Sequence, residues 1–167
     1  MITVELVREI YAALRTTHDF VLVDTPPGFT PEVISSIDSS SDIVIVGMLD
    51  SLSLKNTKLG LETLDLMGYD QSRVKVVLNR ADSRVGITPD DVEAVLGRAP
   101  DVMVPSDREI PRALNSGLPI MMARPDSDAA KAYGKLAKVF ERAAAEAKPQ
   151  SEAKRRSPLR RLVPRRA

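Results

Sequence analysis

Apolar residues in this chain alternate between two spacings. From Val4 to Arg15 the positions Val4, Leu6, Val7, Ile10, Tyr11 and Leu14 recur at three and four residues, which predicts an amphipathic helix. Phe20-Val21-Leu22-Val23 is then an unbroken apolar run, closed by Asp24-Thr25-Pro26-Pro27-Gly28. A strand with no polar face belongs in a parallel sheet covered on both sides by helices. The helix from Val4 is expected as the crossover leading into this central strand. Further buried strands are predicted at Ile43 to Val46, Val74 to Leu78 and Asp101 to Val104.

Helix signals fill the intervals. Thr30-Pro31-Glu32 has a hydroxyl N-cap and a proline at the first helical position. A long helix is expected from Leu52 to Met67, closing at Gly68. Thr88-Pro89-Asp90-Asp91 reads as a capping box, Pro105-Ser106-Asp107 turns into a helix ending near Ser116-Gly117, and Asp126-Ser127 opens a last helix through Tyr133, Leu136 and Phe140. Strand and helix alternate, so the fold class is α/β with parallel βα units. In the long helix Leu52, Leu59 and Leu66 share one side and Leu54, Leu61 and Leu64 lie nearly opposite. Core packing against a neighbouring helix is the expectation for the second face, with a dimer or partner surface as the alternative.

Composition narrows the setting. With 167 residues, 43% hydrophobic and 28% charged, the chain suits one globular domain with a substantial core. There is no cysteine, which excludes disulfides and thiolate metal sites and fits a reducing cytoplasm. Apolar runs are too short to span a membrane and no signal region follows Met1, so a cytoplasmic location is expected. The net charge of +1 is uneven: residues 148–167 hold eight Lys or Arg against Glu152, a local +7 that leaves −6 for the rest. The expected organisation is therefore a domain over 1–147 and a basic, proline-broken, disordered tail over 148–167, read as solvated, with electrostatic docking to an anionic membrane surface or nucleic acid as the alternative. Nucleic acid is disfavoured for the body, since Glu62 and Asp65 dilute Lys55 and Lys58.

Candidate chemistry gathers at strand ends, where such sheets bind ligands. An acid placed like Asp24 suits magnesium, directly or through water, and an amide such as that of Gly28 suits a terminal phosphate; hydrogen bonds from Asp24 to the turn amides are the plain alternative. Asn79 and Arg80 follow the third run, and an amide with a guanidinium can pair with and stack on a nucleobase, although a loop cap is the simpler role. Asn79-Arg80-Ala81-Asp82 also approximates the N-K-x-D element by which GTPases read guanine, in which case Asp82 selects the base. His18, the sole histidine, reads as solvated. No run of the form G-x-x-x-x-G-K-[ST] occurs, so the phosphates have no glycine-rich cradle within these residues.

Phe20 to Gly28, Leu78-Asn79-Arg80, Val104-Pro105-Ser106-Asp107 and Ala113 to Ile120, in this order and spacing, resemble the carboxyl-terminal portion of a MinD/ParA-type deviant-Walker ATPase. With Leu49 to Asn56, the similarity extends to the CpaE/TadZ branch of Flp (Tad) pilus assembly proteins. The resemblance implies a partial doubly wound parallel sheet of the P-loop NTPase (SIMIBI) type, lacking the phosphate-loop strand. It implies that Asp24 holds a magnesium-bound water, that Gly28 lies near the γ-phosphate, that Asn79 and Arg80 contact adenine, and that Pro105, Ser106 and Asp107 line the base's other edge. ATP and Mg2+ are the implied cofactors, in a nucleotide-dependent dimer that positions pilus, polar-localisation or division machinery, peripherally at the inner face of the plasma membrane. Without a phosphate cradle the chain is expected to be inactive alone, with a missing N-terminal segment or a homodimer partner completing it. Met1 is accordingly expected to be an internal start, with an open apolar sheet edge where the phosphate-loop strand belongs. A non-catalytic interaction module on a degenerate NTPase scaffold is the alternative.

Overall fold

A computed structural model describes residues 3–82 and 86–147; the basic tail and its expected disorder lie outside the described residues. Three strands, β1 (Ile43–Met48), β2 (Val74–Asn79) and β3 (Val102–Met103), form a parallel sheet in the order β1-β2-β3. Ile43 pairs with Val74 and Met48 with Asn79, while Val77 pairs with Val102. Among the described residues seven α-helices accompany them: α1 (Val4–Thr17), α2 (Pro31–Asp38), α3 (Ser51–Leu66), α4 (Pro89–Leu96), α5 (Glu109–Asn115), α6 (Ile120–Ala123) and α7 (Asp128–Ala147).

Strand periodicity sends alternate residues to opposite sides of the sheet. On one side Ile43, Val74, Val76 and Leu78 meet Leu54, Leu61 and Leu64 of α3 and Val92 and Leu96 of α4. On the other, Val77, Val102 and Val104 meet Ala129 and Ala132 of α7. Helix ends follow the sequence signals closely. Thr88 and Asp91 form a complete capping box, and Gly97 closes α4 in the left-handed conformation at φ +75°. Asp50 accepts from the Ser53 amide at 2.8 Å to start α3, and Ser127 accepts from the Ala130 amide at 3.1 Å to start α7. Thr30 precedes Pro31 as expected, but its hydroxyl donates to Glu32 Oε2 at 2.8 Å rather than capping a backbone amide.

Four expectations are corrected. Phe20 to Val23 is not a strand: it pairs with nothing in the sheet, and Phe20, Leu22 and Val23 are exposed. It has the composition of a buried strand, but no neighbouring strand among the described residues is placed to bond its backbone, which therefore stays with water. Helix α1 is not packed on the sheet as a crossover; it has no buried residue and leans on α2, where Tyr11 Oη and Ser36 Oγ lie 2.9 Å apart. β1 is not buried on both sides, because it is an edge strand and leaves Val44 and Val46 exposed. The outer leucines of α3 are exposed rather than covered by another helix. Helix α2 is fastened to the core instead by Arg73, whose guanidinium donates to the Ser41 carbonyl at 2.9 Å and to the Ser40 carbonyl.

Candidate functional site

The carboxyl ends of β2 and β3 are zipped together beyond the regular ladder. Val104 N donates to the Leu78 carbonyl at 2.8 Å and Ala81 N to the Val104 carbonyl at 2.9 Å. These bonds bring the segment after β2 beside the segment after β3, and between them lies a cavity of about 690 Å³. That size lies in the range of small-molecule sites. Asn79, Arg80, Pro105, Ser106 and Asp107, five of the residues singled out in the sequence, line it together. Asp82 lines it too and accepts from Ser106 Oγ at 2.5 Å, which links the two walls across 24 residues of sequence.

Local geometry shapes each wall. Arg80 has φ +51°, the left-handed conformation that a residue with a side chain seldom adopts, and its amide donates to Asn79 Oδ1 at 2.9 Å. Such a conformation costs about 1–2 kcal/mol, so it persists where the surroundings impose it. On the facing wall Asp107 Oδ1 accepts from the Glu109 amide at 2.8 Å, tying the segment to the start of α5. Arg80 and Arg108 bring positive charge to the cavity, set against Asp82 and Asp107, while Ile110, Pro111, Leu114 and Tyr133 add apolar and aromatic surface. Ile110, Pro111 and Leu114 carried no sequence signal for this site. Tyr133 reads in the sequence as core of the last helix, and only the packing of α7 brings it here.

Asp24 and Gly28 do not line this cavity. Both are exposed on the unpaired segment before α2, and Gly28 has φ +98° with open space where a Cβ would stand, so its glycine serves conformation rather than close approach. His18 is exposed and closes α1, its Nδ1 lying 2.8 Å from Thr17 Oγ1. Among the described residues no three His, Asp or Glu gather to hold an ion. A lone carboxylate such as Asp24 still suits magnesium, whose remaining ligands are commonly water and phosphate oxygens. Shifted acidities lie away from this cavity. Hydrogen bonds from Ser72 hold Asp70 below the usual carboxylate range, those from Thr88 do the same for Asp91, and the bond to Asp38 raises the Tyr69 hydroxyl. No described helix is long and apolar enough to cross a membrane.

No family model matches the chain. Sequence relatives do: the chloroplastic septum site-determining protein minD homolog of Arabidopsis thaliana is 26% identical over 134 residues, which cover 75% of this chain and 40% of that protein. Among solved structures, a ParA family ATPase from Chlorobium tepidum TLS superposes with a TM-score of 0.72 at 25% identity, covering 78% of this chain and 55% of that one. The septum site-determining protein MinD of Pyrococcus horikoshii OT3, solved with Mg-ADP, gives 0.71 at 25% identity, covering 88% and 60%. The chain thus spans about half the length of the proteins it matches. It has the α/β fold with a parallel sheet seen in the MinD and ParA structures, and the proteins it resembles are septum site-determining MinD proteins and a ParA family ATPase.

Proposed function

We propose that this chain supplies the base-binding and magnesium portion of a MinD/ParA-like ATPase that acts as a nucleotide-dependent positioning or assembly switch. The observation that carries this reading is the cavity between the β2 and β3 ends, which gathers Asn79, Arg80, Pro105, Ser106 and Asp107 at the carboxyl edge of a parallel sheet. Asn79 offers an amide for the Watson–Crick or Hoogsteen edge of adenine, Arg80 a planar guanidinium for its face, and the Pro105 to Asp107 segment the opposite wall. Adenine is favoured over guanine because one oxygen of Asp82, the carboxylate a guanine-reading site would use, accepts from Ser106. In an assembled site Asp24 would hold a magnesium-bound water and the Gly28 amide would serve the terminal phosphate. ATP with Mg2+ supplies the phosphoryl-transfer chemistry there, while this chain's residues bind and orient the nucleoside.

The phosphate cradle comes from residues outside these 167, which contain no G-x-x-x-x-G-K-[ST] run, and the chain alone is inactive as an ATPase. The outer edge of β1, which among the described residues pairs only on its β2 side, and the unpaired, exposed Phe20 to Val23 support this reading. The similarity to the CpaE/TadZ branch favours pilus assembly as the process served. Peripheral attachment to anionic membrane falls to the basic residues 148–167. NMR titration of the full chain with AMP and with GMP tests the base site without needing the phosphate cradle. AMP is expected to shift the amides of Asn79, Arg80, Ser106 and Asp107, and Asn79→Ala to weaken the effect several-fold. Absence of shifts at millimolar AMP, or equal shifts with GMP, overturns the assignment.

A further inference from the structure

Helix α3 has two apolar faces with opposite fates. Leu54, Thr57, Leu61 and Leu64 are buried against the sheet and α4, while Leu52, Leu59 and Leu66 are 70%, 62% and 88% exposed. The exposed three are spaced at seven residues, so they form a narrow straight seam along the outside of the helix. Along one flank of that seam lie Lys55 and Lys58 in the amino half and Glu62 and Asp65 in the carboxyl half, all exposed. The opposite flank carries the uncharged Asn56 and Thr63.

We propose that this face docks a second copy of the chain, α3 against α3, antiparallel about a two-fold axis at Leu59. Charge complementarity selects this occupant and this orientation. In an antiparallel pair, like flanks of the two helices meet. The dyad then sets Leu59 against itself and Leu52 against the partner's Leu66, and it brings Lys55 and Lys58 to the partner's Glu62 and Asp65 to the partner's Lys55. A parallel pair would set each charged flank against Asn56 and Thr63 and match no charges. Rim ion pairs of this kind add little affinity, but they decide orientation and partner. Lys58 Nζ already lies 3.9 Å from Glu62 Oε1 within the helix, so docking widens an existing surface network rather than burying isolated charges. A contact limited to one helix of 16 residues on each side is small, so association is reversible and concentration-dependent. The nucleotide reading is not needed for any of this.

The chain has no cysteine, so single cysteines placed on the seam report pairing directly. In full-length protein under oxidising conditions, Leu59→Cys is expected to form a disulfide-linked dimer. A mixture of Leu52→Cys with Leu66→Cys is expected to cross-link, whereas either alone is not. Sedimentation velocity supplies the second readout. Leu59→Asp weakens association by about tenfold or more, as expected for a central apolar contact. Lys55→Glu/Lys58→Glu and Glu62→Lys/Asp65→Lys are each monomeric alone and pair when mixed. These positions are exposed, and an unchanged circular dichroism spectrum shows that each variant is folded. A wild-type chain that stays monomeric at all concentrations overturns the proposal. So does a Leu59→Asp chain that associates as wild type does, which would direct attention to the open β1 edge, or a Leu52→Cys chain that cross-links with itself as readily as with Leu66→Cys.

Discussion

Replacing Gly47 by alanine tests how closely α3 lies on the sheet. A Cβ built at this buried β1 position falls 2.4 Å from Thr57 Oγ1 and 3.2 Å from Leu78 Cδ2. Gly47 is absent from the positive-φ glycines, so its backbone suits any residue and only packing demands a glycine. Thr57 has little room to yield, because it is β-branched within a helix and its hydroxyl donates to the Ser53 carbonyl at 2.8 Å. Two effects oppose each other in Gly47→Ala. Alanine gains about 0.5–1 kcal/mol over glycine in a strand interior. Overpacking a close contact costs about 1–3 kcal/mol. The clash wins, for a net loss of about 1–2 kcal/mol. Thr57→Ala removes the obstructing oxygen and leaves Thr57 Cβ at 3.5 Å, an ordinary contact. The double variant should therefore recover most of the loss. Urea unfolding followed by circular dichroism measures all four corners of the cycle, and a slope of about 1–3 kcal/mol/M turns the single-site loss into a midpoint lower by roughly 0.3–2 M. Strict additivity of Gly47→Ala and Thr57→Ala would refute the packing argument, because neighbours that clash must couple.

Other substitutions probe local structure and the cavity. Thr88→Ala removes the α4 cap and should cost about 1 kcal/mol in thermal or urea unfolding. Asp91 is held below its ordinary value of 3.8 by the Thr88 bonds, so its stabilising effect is present above that value and lost as pH falls through the lowered one. The gap in melting temperature between wild type and Asp91→Ala should be open at pH 7 and narrow as the pH falls progressively below 3.8; a gap that does not narrow with acidification contradicts this. Arg80→Gly relieves the left-handed conformation while loosening the unfolded chain, so stability should move by less than about 1 kcal/mol. The AMP-induced shifts should nevertheless weaken, separating a binding role for the guanidinium from a structural one. Leu64→Ala, at a position 1% exposed between α3 and the sheet, should cost about 2–5 kcal/mol by the same unfolding assay.

Most of the helices were legible in the sequence because their determinants are local. The hydroxyl and carboxylate of Thr88 and Asp91, the left-handed glycines after α3, α4 and α5, and the serine before α7 act within one turn of the helix they delimit. Short α6 was not legible, since four residues carry no measurable period. Five cavity residues were foreseen, Asn79 and Arg80 from their place just past a strand run and Pro105, Ser106 and Asp107 only through the family resemblance. Tyr133 was not, because its spacing on α7 is that of any core aromatic. Asp82 entered only as the guanine selector of an alternative reading, and its bond to Ser106 is a contact between distant segments that spacing alone does not express.

The sequence by itself determined the α/β class, three of the four parallel strand runs, the caps of α4 and α7, and the identity of the residues at the ends of β2 and β3. Tertiary structure alone decided which apolar runs find partners. Phe20 to Val23 is an unbroken apolar run and Val74 to Leu78 is interrupted by Lys75, yet the second is the central strand and the first is exposed. It likewise decided that Leu54, Leu61 and Leu64 face the sheet while Leu52, Leu59 and Leu66 face water. The reason is physical: periodicity fixes which residues share a face, whereas burial and ladder pairing depend on what another part of the chain brings against that face.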